Sequence, residues 1–242
     1  GKAVKVVDPT ITDMVNDESF AIDSTNAILT VTNYKPDIEK TVTKRNGDKA
    51  HQADYGVGDA VTYTLTIDVP ANVEKLKTFK VVDTTVASQL KHNEESVTIK
   101  GIKADTGNTE IQFAKTTDYT LTIGGNETMT VDFGTIKSDN FKSVAGGKII
   151  ITYSATIQSG AVVAENGNVN TANIVYSRKT DLTDETGTDQ PYEITDKGVV
   201  YTFGLNIHKT AKGGDKGGQG LKDVTFDLYK KVESYEIGTD GK

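Results

Sequence analysis

Cysteine and tryptophan are both absent from the 242 residues of this chain. Without cysteine, the chain cannot form a disulfide bond or a thiolate metal site. This composition suits the cytosol and also suits a protein exported to the cell surface. No apolar run is long enough to span a membrane, and no signal peptide is recognisable. We therefore expect a soluble protein or a mature segment of an exported one.

An excess of positive charge is also missing. The formal net charge is -7, and the lysines are dispersed along the chain. Domains that bind nucleic acid usually gather lysine and arginine on one face. The sequence therefore argues against nucleic acid as a partner.

Helical periodicity is lacking, and the periodicity of strands takes its place. Apolar and polar residues alternate over residues 61–69 and 149–157, and over shorter runs at 119–123 and 129–133. Successive side chains of a strand point to opposite faces, so this alternation predicts strands with one buried face. Short strands separated by Gly, Asn and Asp turns are typical of β-sandwiches. We predict an all-β chain.

Three polar residues, Lys40, Asp83 and Asn170, occupy positions on the apolar side of such strands. Lys40, for example, lies in phase with Ile38 and Val42. A buried charged group is costly unless it is paired. The pattern therefore predicts that the lysine, the acid and the amide lie together in one core.

Buried together, these three groups could react. Desolvation lowers the pKa of a lysine and raises that of a carboxylic acid, so we expect a neutral amine and a protonated acid. The Lys40 amine could then attack the side-chain amide of Asn170 and expel ammonia. Asp83 would donate a hydrogen bond to the amide carbonyl and shuttle the proton. The product would be an isopeptide bond.

Each residue also has an ordinary interpretation when it is taken alone. Lys40 could be a strand lysine with its ammonium group in water, and Asp83 could be a turn residue. Asn168 has the same phase as Asn170, so the strand pattern leaves the choice of acceptor open.

Four segments resemble the fimbrial isopeptide-forming domain, which is the second domain of Gram-positive backbone pilins. They are PDIEKTV at 36–42, VGDAVTYTL at 57–65, VVDTT at 81–85 and GNVNTANIVYS at 167–177. The resemblance implies an immunoglobulin-like (Cna-type) sandwich with a bond between Lys40 and Asn170. It implies that Asp83 is the catalytic acid, and it favours Asn170 over Asn168.

The segments LNIHK at 205–209 and GLKDVTFDLY at 220–229 resemble the start of a Cna B-type domain. The resemblance makes Lys209 the candidate amine of a second isopeptide bond, whose partners are not in this chain. Backbone pilins also carry a Tyr-Pro-Lys-Asn motif whose lysine is joined to the next subunit by sortase. Here the order is Asn-Tyr-Lys-Pro at 33–36, which makes Lys35 a weak candidate for that lysine.

These assignments predict sandwich domains in tandem. Residues 1–33 would be the end of a preceding domain or an N-terminal segment. Residues 34–196 would form the isopeptide domain, and residues 197–242 would begin a Cna B-type domain. We expect the terminal domains to be incomplete in this chain.

The predicted function is that of a structural subunit of a pilus anchored to the bacterial cell wall, outside the cell. Its partners would be neighbouring pilins joined by sortase, with host matrix or cells as further candidates. The alternative is an adhesin that binds host matrix or carbohydrate. We expect no turnover enzyme, because no pair of catalytic carboxylates is evident. We expect no cofactor or metal, since the three histidines lack ligand spacing.

Overall fold

The structure is a computed structural model that describes residues 35–134, 137–163, 166–177 and 192–204, with isolated positions at 207, 209–210, 212, 223–227 and 229. The chain divides into two compact units, Gly1–Phe203 and Gly204–Lys242. The segment predicted at 1–33 lies outside the described residues. All the described strands belong to the first unit.

Two six-stranded sheets form the described part of the first unit, with strands numbered in chain order. The first sheet has the order β2-β1-β4-β10-β6-β7 and the second the order β3-β12-β11-β5-β9-β8. The first sheet contains β1 Asp37–Thr43, β2 Lys49–Ala50, β4 Ala60–Asp68, β6 Leu90–Ile102, β7 Glu110–Gln112 and β10 Lys148–Ile157. The second contains β3 Gln52–Asp54, β5 Phe79–Thr85, β8 Thr120–Gly124, β9 Thr128–Asp132, β11 Asn168–Tyr176 and β12 Tyr192–Tyr201. Neighbouring strands are antiparallel, except that β12 and β3 are parallel.

The core lies between the two sheets and follows the alternation of the sequence. The inward positions of β4 are fully buried at Val61, Tyr63, Leu65 and Ile67. The inward positions of β10 are buried in the same way. The all-β sandwich predicted from the sequence is therefore confirmed.

Helical structure is scarce among the described residues, as the sequence predicts. One short α-helix, α1, spans Asp139–Ser143, and two 3-10 turns span Val73–Lys75 and Gly125–Glu127. The Ser138 hydroxyl caps α1 by accepting a hydrogen bond from the Phe141 N–H at 3.1 Å. Phe141 stacks on Phe133 in the core, with ring centroids 5.2 Å apart. In the described part of the chain, no helix is both long and apolar enough to cross a membrane.

The predicted boundary between residues 196 and 197 falls inside β12. This strand pairs with β11 along its whole length, from Tyr176 opposite Tyr192 to Asn168 opposite Val200. It also pairs with β3, and Val200 is fully buried in the core. Residues 197–203 therefore belong to the sandwich and not to a following domain.

The packing of β12 can be tested at Gly198, where a Cβ atom would lie 2.8 Å from Val42 Cγ2 and 3.2 Å from Tyr63 Cε1. Because both neighbours are buried in the opposite sheet, we expect Gly198→Ala to lower the free energy of unfolding by about 1–3 kcal/mol. Urea unfolding measures this change.

The control is Gly107→Ala, since a Cβ atom at Gly107 meets nothing closer than 3.7 Å. We expect this variant to unfold at nearly the wild-type urea concentration. Equal midpoints for the two variants would contradict the packing of β12 on the opposite sheet.

Candidate functional site

Lys40, Asp83 and Asn170 meet in the core, and each is 0% exposed. Lys40 lies on β1 of the first sheet, whereas Asp83 and Asn170 lie on β5 and β11 of the second. β5 and β11 are adjacent, with Asp83 opposite Ala172 and Asn170 opposite Thr85. The amine therefore reaches the acid across the space between the sheets, and it shares one hydrogen-bond partner, the Tyr153 hydroxyl, with the amide.

The Lys40 ammonium has two polar partners. Its Nζ donates a hydrogen bond to Asp83 Oδ2 in a fully buried ion pair. Nζ also donates to the Tyr153 hydroxyl at 2.8 Å. Its remaining surroundings are aromatic, since Nζ lies 5.0 Å from the Tyr63 ring centroid and 5.4 Å from that of Tyr153. Aromatic ring faces stabilise a cation from which water is excluded.

The Asn170 amide shares one of these partners. Its Nδ2 donates a hydrogen bond to the Tyr153 hydroxyl at 3.0 Å. Its carbonyl oxygen is buried and has no hydrogen-bond partner among the described residues. The sequence predicts a hydrogen bond from Asp83 to this carbonyl oxygen. That prediction is wrong, because the Asp83 oxygens are hydrogen bonded to Lys40 and His92 instead.

His92 holds the second oxygen of Asp83. Its Nε2 lies 2.8 Å from Asp83 Oδ1, so a proton on Nε2 would be donated to the carboxylate. The His92 ring lies on β6 and packs against the Tyr153 ring at 5.5 Å. Asp83 is thus fixed from two sides, with Oδ2 directed to Lys40 and Oδ1 to His92.

Of the two pKa shifts predicted from the sequence, the structure agrees with the lowered pKa of Lys40 and not with a raised pKa of Asp83. Burial lowers the pKa of Lys40, and the nearby Asp83 carboxylate offsets this only in part. Burial also tends to raise the pKa of Asp83, but the Lys40 charge and the His92 hydrogen bond outweigh it. The pKa of Asp83 is therefore lowered while Lys40 is charged, and the prediction of a raised value is wrong for the ion pair.

Asn168 is separated from Asn170 by its hydrogen bonds. Its Oδ1 accepts the Val162 N–H at 2.7 Å, and its Nδ2 donates to the carbonyl oxygens of Val162 and Val200 at 3.1 and 3.0 Å. Backbone groups therefore satisfy the whole amide. Asn168 links the chain before β11 to β12 through these hydrogen bonds. Asn170 is the asparagine whose amide shares the Tyr153 hydroxyl with Lys40.

Three aromatic side chains of the site were not recognised from the sequence: Tyr63, His92 and Tyr153. All three lie in the inward phase of first-sheet strands, where an aromatic residue normally indicates core packing. Tyr63 and Tyr153 are stacked, with centroids 5.4 Å apart and planes at 14°. His92 is in phase with the buried Leu90, and this phase is the only sequence signal that could have distinguished it from the other histidines.

Two lysines, Lys35 and Lys209, are the remaining candidate residues. Lys35 is exposed just before β1, and Lys209 is exposed in the second unit. The structure brings no partner group to either lysine within the residues it describes. No group of three or more potential metal ligands occurs in that part of the chain either.

Comparison with known proteins returns no matching family model and no matching curated protein sequence. Solved structures do match. The chain is similar to a C-terminal fragment of the major pilin GBS80 of Streptococcus agalactiae, with a TM-score of 0.53 and 19% identity over 76% of this chain and 61% of that one. It is also similar to a variant of BcpA, the major pilin subunit of Bacillus cereus, with a TM-score of 0.50 and 17% identity over 69% of this chain and 40% of that one.

The chain therefore spans about three fifths of the GBS80 fragment and less of BcpA. Both neighbours are built of immunoglobulin-like sandwiches, as the described residues of this chain are. The chain has the fold of the Gram-positive backbone pilins.

Proposed function

We propose that the chain is a structural subunit of a bacterial cell-surface pilus whose sandwich is closed by an isopeptide bond between Lys40 and Asn170. The observation that carries this proposal is the burial of an amine, a carboxyl group and an amide in one dry cluster. An ion pair of this kind is weak evidence for stability alone, because desolvation offsets its attraction. The position of the ion pair near the primary amide of Asn170 is better explained by a reaction between the amine and the amide.

The reaction begins with a proton shift inside the ion pair. A proton moves from Lys40 Nζ to Asp83 Oδ2, which leaves a neutral amine and a neutral acid in the core. The low pKa that burial imposes on Lys40 favours this shift. The amine can then form a bond to the side-chain carbonyl carbon of Asn170. The bond from that carbon to Nδ2 breaks, and ammonia leaves.

Folding supplies the proximity that makes such an amide exchange feasible. Holding two reactants in one geometry replaces the entropy loss of a bimolecular encounter. The product contains one neutral amide in place of the ammonium group and the primary amide. The bond would also close a loop of about 130 residues, which in the chain-entropy model stabilises the fold by about 5 kcal/mol.

A pilus subunit would benefit from such a bond because it is covalent and is not reduced as a disulfide is. We propose neighbouring pilin subunits, joined by sortase, as the partners and the outside of the cell as the location. Lys35 remains our candidate for the intersubunit lysine, and Lys209 for a second isopeptide bond.

The first prediction concerns the mass of the protein. We expect the mass of the purified, denatured chain to be lower than the mass calculated from its sequence by one ammonia. We expect Lys40→Met and Asn170→Ala to have their full calculated masses. Intact mass spectrometry measures this difference, and peptide mapping should join the peptide of Lys40 to that of Asn170.

The matched control is Lys148→Met, which removes an exposed strand lysine paired with Asp68. We expect this variant to retain the deficit of one ammonia. A wild-type chain at its full mass would contradict the proposed bond, and the adhesin alternative would then be the one to test.

The second prediction concerns Asp83. We expect Asp83→Ala to fold but to form the bond about 100-fold or more slowly, because the ammonium group loses its proton acceptor. Circular dichroism reports folding, and the fraction of the chain lacking one ammonia reports bonding.

Asp118→Asn is the control for Asp83, because Asp118 is also buried but binds the Ala114 N–H and Asn140 instead of Lys40. We expect this variant to be fully bonded. If Asp83→Ala were bonded as completely as Asp118→Asn, Asp83 would not be the acid of the reaction.

A further inference from the structure

We propose that Tyr153 is a catalytic residue of isopeptide formation, and that its hydroxyl group relays a proton from the attacking amine to the departing amide nitrogen. This inference rests on the proposed function, because it concerns the same bond. It assigns the transfer of a proton to Asn170 Nδ2, a nitrogen to which neither Asp83 oxygen is hydrogen bonded in the described structure.

The geometry that supports the relay is a shared hydrogen-bond partner. The Tyr153 hydroxyl oxygen lies 2.8 Å from Lys40 Nζ and 3.0 Å from Asn170 Nδ2. The first nitrogen must lose a hydrogen during the reaction, and the second must gain one. A hydroxyl group both accepts and donates, so one group in this position can serve both nitrogens.

The Tyr153 ring is held so that its hydroxyl stays between the two nitrogens. The side chain is 1% exposed on β10, stacked on Tyr63 and tilted against His92. Because packing on both faces restricts the ring, the hydroxyl is positioned before the reaction starts. Such preorganisation is what efficient proton transfer requires.

Asp83 is not placed to protonate the leaving group. Its Oδ2 is hydrogen bonded to Lys40 and its Oδ1 to His92, and in the described structure neither oxygen is hydrogen bonded to Asn170 Nδ2. That nitrogen is hydrogen bonded to the Tyr153 hydroxyl instead. The two roles are thus divided, with Asp83 activating the amine and Tyr153 assisting the departure of ammonia.

The atoms of the relay balance. After Lys40 has passed one proton to Asp83, its neutral Nζ forms the bond to the carbonyl carbon of Asn170. Nζ gives a second hydrogen to the Tyr153 oxygen, and the original hydroxyl hydrogen moves to Nδ2. The carbon–Nδ2 bond breaks, ammonia leaves, and Tyr153 is again a neutral phenol. Asp83 keeps the first proton.

The environment of Tyr153 favours the simultaneous gain and loss of a proton over the formation of a charged phenolate. Burial, with a further contribution from the Asp83 charge, raises the pKa of Tyr153 well above its usual value. A phenolate is therefore not a stable intermediate in this core. The hydroxyl can take part only if it gives up one proton as it receives another.

The test compares Tyr153 with a buried tyrosine that is not part of the site. Tyr153→Phe removes the bridging hydroxyl, whereas Tyr119→Phe removes the hydroxyl of a side chain that is 4% exposed and packs against Phe133. Each full chain is purified in denaturant, the fraction that still has its full calculated mass is kept, and this fraction is then diluted into native buffer. Samples are quenched in acid at intervals and their intact masses are measured by mass spectrometry, while circular dichroism follows folding.

We expect the wild type and Tyr119→Phe to lose one ammonia at similar rates, and Tyr153→Phe to fold but lose it about 100-fold or more slowly. A folded Tyr153→Phe that bonds as fast as Tyr119→Phe would overturn the relay and leave the isopeptide bond itself intact. A wild type that never loses ammonia would instead overturn the proposed function, and the relay with it.

If Tyr153→Phe does not refold, the relay is tested on the wild type by measuring its bonding rate in mixtures of light and heavy water. Transfer of two hydrogens in one step predicts that the bonding rate falls along a curve as the deuterium fraction rises. A straight line would indicate a single transferred hydrogen and would overturn the relay.

Discussion

The buried ion pair between Lys40 and Asp83 is the interaction on which the interior of the sandwich depends. The two side chains come from opposite sheets, and neither has access to water. Removing one partner of such a pair typically costs about 3–5 kcal/mol, because the other charge is left uncompensated. Two other polar groups of the core are arranged around this constraint: His92 binds the second carboxylate oxygen, and Tyr153 binds the ammonium group.

The same pair would change character once the proposed bond formed. An amide nitrogen carries no charge, so the main influence that lowers the pKa of Asp83 would disappear. Burial would then raise that pKa, and the acid would remain neutral in the finished core. The folded but unreacted protein would thus contain two buried charges, whereas the product would contain none. This difference gives a physical reason for the reaction to proceed in one direction, in addition to the loss of ammonia.

Strand alternation was sufficient to predict the sandwich and the burial of Lys40, Asp83 and Asn170, because each of these depends on the phase of a single strand. The tyrosines and His92 were not predicted, since an aromatic residue on an inward position is ordinary core. The choice between Asn168 and Asn170 was also beyond the strand pattern, because the two share a face. It depends on contacts with Val162, Val200 and Tyr153, which are brought together only by the fold. The end of the domain was misplaced because β12 follows a long polar segment and contains several polar residues.

The position of β12 has a mechanical consequence. Asn170 lies on β11, so the proposed bond would join the first strand to the penultimate one and would leave β12 outside the covalent loop. A pull on the two ends of the domain would be carried from Lys40 directly to Asn170, and strands between them could not be drawn out. Only the chain outside the loop, before Lys40 or beyond Asn170, could lengthen, by about 3.5 Å for each residue released. Detachment of β12 from β11 and β3 would therefore give the domain a short extension, with the strands inside the loop kept at constant length.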